Sequence, residues 1–186
     1  KSQSGLVQCN NEWYLLKSGE VRTDYSGLAQ YNNQWFYIDC GRLNWDYSGI
    51  TKYNNEWFYV EAGRLNWHYN GLGQSGNEWY YIVNARVNWN YTGLVQKDSE
   101  WFYVENGKLD WNYTGLVQKG NEWFFVRNGR LDWNYTGLAC YKDAYYYVKN
   151  GRLNWNYSGF AQIDGQGEYY EVRNGRMVGG PLAKMQ

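Results

Sequence analysis

Proline is almost absent from this sequence, and histidine is equally scarce. The one proline, Pro181, lies near the C-terminal end, so the turns must be made by glycine and asparagine. The one histidine, His68, has no nucleophile near it, and a catalytic base needs such a partner. We therefore interpret His68 as a surface variant, and we predict that the protein is not an enzyme.

Cysteine is also rare, and its distribution argues against a disulfide framework. Cys9, Cys40 and Cys140 are odd in number and occupy three different positions of the repeat described below. We interpret them as incidental small residues rather than as redox or metal-binding groups. No metal and no cofactor are expected.

Neither charge is in excess, since 18 basic residues face 18 acidic ones. Nucleic acids and anionic membranes are bound through a positive field, which this balance does not supply. The uncharged apolar stretches are only a handful of residues long, too short to span a bilayer. We predict no nucleic-acid binding and no membrane insertion.

What the chain has in abundance is aromatic residues, which make up 21% of it, and they recur in a strict repeat. The repeat returns every 22 residues, in copies that open at Ser4, Ser26, Ser48, Asn70, Thr92, Thr114, Thr136 and Ser158. Such a repeat predicts supersecondary units that stack on their neighbours. We expect residues 4–180 to form a single array of eight repeats, with the first and last as caps and 181–186 as a tail.

Each copy contains three short runs rich in aromatic and β-branched residues, separated by turn residues. In the sixth copy the runs are 116–119, 122–126 and 130–135. They have neither the length nor the periodicity of helices, so the sequence predicts an all-β fold. Together with the repeat, it predicts an elongated β-solenoid, a spiral of β-hairpins, that is a monomer.

The second turn of the repeat decides which residues face each other. Asn128 and Gly129 favour a two-residue type I′ turn, with positive φ at both positions. Other copies place Cys40 or Ala62 in the first slot, where positive φ is costly. We therefore predict a three-residue loop with only the glycine left-handed, and the most strained turn at Ala85.

That register places the two tryptophans of each central repeat opposite one another. The predicted pairs are Trp35–Trp45, Trp57–Trp67, Trp79–Trp89, Trp101–Trp111 and Trp123–Trp133. Such pairs stabilise hairpins by up to ~1 kcal/mol each, so packing alone would account for the tryptophans.

Trp123, Phe125, Thr136 and Gly137 show the order that recurs: an aromatic run, a turn, then Thr-Gly. This order resembles the cell-wall-binding repeats of Gram-positive surface proteins, which include choline-binding modules, glucan-binding repeats and clostridial toxin repeats. The resemblance covers residues 4 to about 178. It implies a spiral of β-hairpins, with choline members holding the ligand in aromatic cages between consecutive hairpins.

The chain departs from that family in one place. Where the family has tryptophan after Thr-Gly, this chain has leucine, as at Leu94 and Leu116. Half of the choline cage is therefore unmapped, and we expect choline to have little effect on this protein.

Two interpretations of the tryptophans stay open, packing alone and packing combined with ligand contact. The glutamates recur in every copy instead of forming one unique pair, so glycosidase chemistry is disfavoured. We predict a non-catalytic module of a secreted or surface protein that binds a cell-wall polymer or another glycan. The alternative is an adhesin that binds a host surface protein, or a structural spacer. The candidate ligand-binding residues are Trp45, Trp57, Trp67, Trp79, Trp89, Trp101, Trp111, Trp123, Trp133, Tyr59, Tyr81 and Tyr103.

Overall fold

A computed structural model describes residues 3–181, and their regular secondary structure consists of β-strands alone. The prediction of an all-β fold built from successive β-hairpins is confirmed. No helix long and apolar enough to cross a membrane occurs in this part of the chain. The described residues divide into two compact units: unit 1 contains 3–91 and 106–108, and unit 2 contains 92–105 and 109–181.

Unit 1 contains four complete repeats of three strands each. Its strands are β1 (Gly5–Cys9), β2 (Glu12–Lys17), β3 (Glu20–Val21), β4 (Gly27–Tyr31), β5 (Gln34–Asp39), β6 (Arg42–Leu43), β7 (Gly49–Tyr53), β8 (Glu56–Glu61), β9 (Arg64–Leu65), β10 (Gly71–Ser75), β11 (Glu78–Val83) and β12 (Arg86–Val87).

The repeats after residue 91 continue in the same order. Their strands are β13 (Gly93–Lys97), β14 (Glu100–Glu105), β15 (Lys108–Leu109), β16 (Gly115–Lys119), β17 (Glu122–Arg127), β18 (Arg130–Leu131), β19 (Gly137–Tyr141), β20 (Ala144–Lys149), β21 (Arg152–Leu153), β22 (Gly159–Gln162), β23 (Tyr169–Arg173) and β24 (Arg176–Pro181).

The second turn of the repeat differs from the prediction. Arg127 pairs directly with Arg130, which leaves a two-residue loop in which Asn128 (φ 48°) and Gly129 (φ 73°) are both left-handed. This is the type I′ geometry, so the predicted three-residue loop is wrong. The predicted tryptophan pairs are wrong with it, because they depended on the longer loop.

A hydrogen bond from outside the turn explains why Cys40 and Ala62 tolerate a φ of 46°. The amide of Cys40 donates to the Ser26 hydroxyl at 3.0 Å, and that of Ala62 donates to the Ser48 hydroxyl at 3.0 Å. Each acceptor is the residue that opens the same repeat. These hydrogen bonds offset the free-energy cost of the left-handed conformation, which is about 1 kcal/mol per residue.

Each second turn also docks on the preceding repeat. The Phe125 amide donates to the Gly151 carbonyl at 2.8 Å, and the Gly151 amide donates to the Tyr135 carbonyl at 2.9 Å. A Cβ at Gly151 would come within 2.6 Å of the Asp132 carbonyl oxygen, so this slot favours glycine. The same two bonds recur at Gly41, Gly63, Ala85, Gly107, Gly129 and Gly175.

The most deeply buried core residues include one leucine or isoleucine and one β-branched residue from nearly every repeat. Leu116 and Val126, for example, are 2% and 0% exposed. The leucine that follows Thr-Gly is therefore an interior residue. At the C-terminal end, the pairing of β23 with β24 shifts in register between Tyr170 and Val172. The single array, its caps and its tail stay predictions, and residues 182–186 of that tail lie outside the described residues.

Candidate ligand-binding site

The second tryptophan of each repeat is held out from the hairpin by the residue before it. The Asn66 side chain accepts a hydrogen bond from the His68 amide at 3.1 Å, and Asp110 accepts one from Asn112 at 2.9 Å. This local turn places the intervening tryptophan at the surface. Trp45, Trp67, Trp89, Trp111 and Trp133 are between 37% and 42% exposed. The preceding Asn or Asp is thus engaged with the backbone.

One tryptophan of this set escaped the sequence analysis. Trp155 is 50% exposed and follows Trp133 at the repeat spacing. Its repeat has Tyr145 where the first tryptophan is expected, which hid it. The spacing alone was a sufficient signal.

A cation from the next repeat covers one face of most second tryptophans. The Arg86 guanidinium lies 5.2 Å from the Trp67 ring centroid and 5.1 Å from that of Phe58. Arg86 also pairs with Glu56 at 3.3 Å. Equivalent stacking joins Arg64 to Trp45, Arg130 to Trp111 and Arg152 to Trp133. The exposed tryptophan is thus rigidly packed on one side and open on the other.

The first tryptophan of a repeat contacts the residue at the sixth position of the next repeat. Where that residue is tyrosine, the two rings meet edge to face, with centroid separations of 4.5–4.8 Å. The pairs are Trp13–Tyr31, Trp35–Tyr53 and Trp123–Tyr141. We call these the tyrosine pairs. The sequence analysis omitted Tyr31, Tyr53 and Tyr141, although their recurrence at one repeat position was visible.

Lysine or serine replaces that tyrosine in the middle of the chain. Lys119 places its ammonium 4.5 Å from the Trp101 ring centroid and donates to the Leu94 carbonyl at 3.4 Å. Ser75 is too short to cover Trp57, which is 38% exposed. The sixth position therefore decides what lies against the first tryptophan.

The Trp13–Tyr31 pair lines a cleft of about 270 Å³. We call it the first cleft. Its aromatic walls are Trp13, Tyr31, Phe36 and Trp45, and Arg64 lies at one side. Trp45 comes from the same repeat as Tyr31, and Arg64 comes from the repeat after it, so three consecutive repeats build the cleft. Rings from several directions around a small space are suited to an apolar or cationic group.

The predicted partners within a repeat do not meet. Trp111 packs edge to face on Phe102, with centroids 5.9 Å apart, instead of on Trp101. The same arrangement joins Phe58 to Trp67 and Phe124 to Trp133. The shorter turn produces this register. First tryptophans are consequently half-buried at most repeats, whereas second tryptophans are exposed.

The three candidate tyrosines lie inside the hairpin stack. Tyr59 and Tyr103 are 7% and 6% exposed, and Tyr81 is half-buried. Each packs on a second tyrosine, as Tyr103 does on Tyr113 at a centroid distance of 3.8 Å. Their position gives them a packing role, and the proposed site below does not use them.

The second tyrosine in each of these stacked contacts, at the repeat position of Tyr113, is held by a hydrogen bond and partly shielded from water. The Tyr135 hydroxyl donates to the Leu138 carbonyl at 2.7 Å, and the Tyr47 hydroxyl donates to the Ile50 carbonyl at 2.7 Å. Burial disfavours the charged phenolate, and it raises the pKa to about 12 in Tyr47, Tyr69, Tyr113 and Tyr135.

The fold and the first cleft define a class, a repeat module of successive β-hairpins with aromatic contacts between consecutive repeats. The choline-binding repeat matches the sequence at six segments, residues 24–44, 46–66, 69–88, 90–110, 112–132 and 134–154. These segments cover more than half of the chain, which belongs to the choline-binding repeat family. The resemblance to cell-wall-binding repeats is confirmed.

Several solved structures resemble this chain at low identity. CbpJ from Streptococcus pneumoniae TIGR4 is 24% identical with a TM-score of 0.38, over 95% of this chain and 58% of that one. CbpF in complex with ipratropium is 22% identical with a TM-score of 0.37, over 95% of this chain and 59% of that one. Alternansucrase in complex with isomaltotriose is 15% identical with a TM-score of 0.39, over 92% of this chain and 15% of that one.

This chain therefore spans less than two thirds of the length of CbpJ and of CbpF. No curated protein matches the sequence.

Proposed function

We propose that this chain is the wall-binding module of a secreted or surface-attached bacterial protein, and that it binds choline groups of a cell-wall polymer at the tyrosine pairs. The observation that carries the proposal is the first cleft, in which Trp13, Tyr31 and Trp45 surround a space of about 270 Å³. Membership of the choline-binding repeat family supports choline as the head group. A quaternary ammonium is favoured by ring faces on several sides.

The expectation that choline has little effect rested on the missing tryptophan after Thr-Gly. Leu6, which occupies that position, lines the first cleft, and Trp45 from the next repeat contributes an aromatic wall. In our proposal Trp45 substitutes for the lost ring.

The chain itself shows that a cation fits against the first tryptophan. Lys119 places its ammonium over Trp101 at the position where Tyr31 stands over Trp13. A site filled by the chain's own ammonium has no room for a second cation. We therefore assign ligand binding to the three tyrosine pairs and not to the Trp101–Lys119 pair.

Several weak sites suit a polymeric ligand. One exposed cation–π site contributes only ~0.5–1 kcal/mol per ring, so a single choline binds weakly. A polymer that carries many choline groups binds several tyrosine pairs at once. Its affinity rises because the remaining choline groups are held at a high effective concentration near the other sites. The exposed second tryptophans then provide additional contact surface for the polymer.

The test is a calorimetric titration of the whole chain with choline and with dimethylbutanol, the neutral carbon isostere of choline. We expect saturable choline binding and little binding of the isostere, because the attraction depends on charge. Changing Tyr31, Tyr53 and Tyr141 together to serine, the residue found at Ser75, should abolish most of the heat. Tyr169→Ser is the matched control, since Tyr169 is 51% exposed and lies outside the pairs.

Two outcomes contradict the proposal. Equal binding of choline and its isostere would indicate that both bind to a nonspecific apolar surface. Tight binding of a choline-free wall glycan or of a host surface protein, with no response to choline, would support the glycan or adhesin alternative.

A further inference from the structure

A ladder of ion pairs runs between consecutive repeats. The cation that opens the third strand of one repeat pairs with the glutamate that opens the second strand of the repeat before it. The pairs are Arg42–Glu12, Arg86–Glu56, Lys108–Glu78, Arg130–Glu100 and Arg152–Glu122. In each pair the carboxylate compensates the charge of the cation.

Arg64 breaks this ladder. Gln34 occupies the glutamate position, and Arg64 makes no ion pair with any residue in 3–181. Its guanidinium lies 4.9 Å from the Trp45 ring centroid, and both Arg64 and Gln34 line the first cleft. The first cleft thus has an uncompensated positive charge at its side.

The same exception occurs at a second tyrosine pair. Beside Trp123–Tyr141, the glutamate position is Ala144, and the cation is Arg176, whose backbone pairs with Tyr146. Arg176 likewise has no ion pair within the described residues. At the filled Trp101–Lys119 site, by contrast, the corresponding Arg152 is paired with Glu122 at 3.4 Å. Both uncompensated cations adjoin a tyrosine pair.

We propose that Arg64 is an anion subsite that binds the phosphate of a choline phosphate ester whose quaternary ammonium occupies the first cleft. The inference rests on the proposed function for the head group and adds a second contact to it. Arginine presents a planar fork of N–H donors that matches phosphate oxygens, and stacking on Trp45 fixes the plane of that fork. The short two-carbon spacer of choline keeps the ester phosphate close to the cleft.

The experiment compares choline with phosphocholine by calorimetry, in a background that carries Tyr53→Ser and Tyr141→Ser so that the first cleft is measured alone. We expect phosphocholine to bind about twofold to fivefold more tightly than choline, the scale of one exposed ion pair. High salt should remove that preference. Inorganic phosphate alone should leave choline binding unchanged.

The decisive variant is Gln34→Glu, which restores the ladder pair found in the other repeats. It should abolish the preference for phosphocholine and leave the affinity for choline unchanged or slightly higher. Arg64→Lys is a conservative control, because Lys108 fills the same position naturally. Glu56→Gln, tested with Tyr53 intact and Tyr31 changed to serine, should create the same preference at the Trp35–Tyr53 pair by freeing Arg86.

The outcomes separate the two proposals. If choline fails to bind, the proposed function fails. If choline binds but phosphocholine binds no better, or if Gln34→Glu leaves the preference intact in a folded protein, the anion subsite alone is overturned.

Discussion

The ammonium of Lys119 lies 4.5 Å from the ring centroid of Trp101, where a tyrosine stands in three other repeats. The chain thus places its own cation against one of its aromatic sites. In our proposal the sixth position decides whether a site is filled or open, so exchanging that residue should change the number of ligands bound.

We expect Lys119→Tyr to add one choline site. The substitution removes the ammonium from Trp101 and supplies the missing ring, so the stoichiometry in a calorimetric titration should rise by one. Lys17→Tyr is the control, because Lys17 is exposed at the end of β2 and lies outside the clefts. An unchanged stoichiometry in a folded Lys119→Tyr variant would contradict the filled-site interpretation.

Two left-handed glycines separate the effect of backbone conformation from that of close packing. Gly129 has a φ of 73°, and a Cβ there would lie 2.5 Å from the Asp110 carbonyl oxygen, whereas Gly120 has a φ of 60° with open space around it. Gly120→Ala should cost about 1 kcal/mol from conformation alone. Gly129→Ala should cost roughly 2–4 kcal/mol, because the backbone of the preceding repeat must also move.

Thermal or urea unfolding measures both variants. Equal losses for the two glycines would show that docking on the preceding repeat contributes little.

Ala85 is the alanine that takes the place of this docked glycine. It is fully buried with a φ of 61°. The hydrogen bond that its backbone amide donates to the Tyr69 carbonyl is 3.1 Å long, whereas the equivalent bonds of the glycine turns are 2.8–2.9 Å long. Ala85→Gly should therefore raise stability by about 1 kcal/mol, since it relieves the left-handed strain. A loss of stability in urea unfolding would show instead that the buried methyl group contributes more than the strain costs.

How far the sequence predicted the structure is clearest at this turn. The repeat spacing and the aromatic runs were enough for the all-β hairpins. The prediction of the turn was wrong because it considered only the free-energy cost of a positive φ at Cys40 and Ala62. The Ser26 and Ser48 hydroxyls that offset this cost lie far away in sequence.

The candidate site was predicted in part for a related reason. The tryptophans were identified by their recurrence, and exposure of Trp45 and Trp133 agrees with a ligand-contacting role that stays a proposal. A site between consecutive hairpins was implied by the resemblance, but the cleft's own residues Trp13 and Tyr31 were not among the candidates. Single-repeat reasoning also had no means to separate the buried Tyr103 from Tyr31.

Alkaline pH should unfold the protein through tyrosines that are buried or half-buried. Burial raises the pKa to about 12 in Tyr47, Tyr69, Tyr113 and Tyr135, from an ordinary value of 10.0. The unfolded chain therefore loses these protons first as pH rises. Their contribution to the free energy of unfolding is fully present below pH 10.0 and is lost as pH rises towards 12.

Urea midpoints measured by circular dichroism should be constant just below pH 10.0 and should fall between pH 10.0 and 12. Tyrosinate absorbance should show a late-titrating group that Tyr135→Phe diminishes. Full titration of every tyrosine near pH 10.0 in the folded state would contradict the burial argument.

The docked turn has a consequence for how the protein is made. The Tyr37 amide donates a hydrogen bond to the carbonyl of Gly63 in the next repeat. Gly63 leaves the ribosome only after the rest of the repeat that contains Tyr37, and most of the following repeat, have emerged. A newly made hairpin therefore waits, with backbone groups hydrated, for the turn of its successor. Synthesis from the N-terminus should complete the repeats one behind the growing end. A pause in translation would then leave one unfinished hairpin exposed, rather than an unfolded chain.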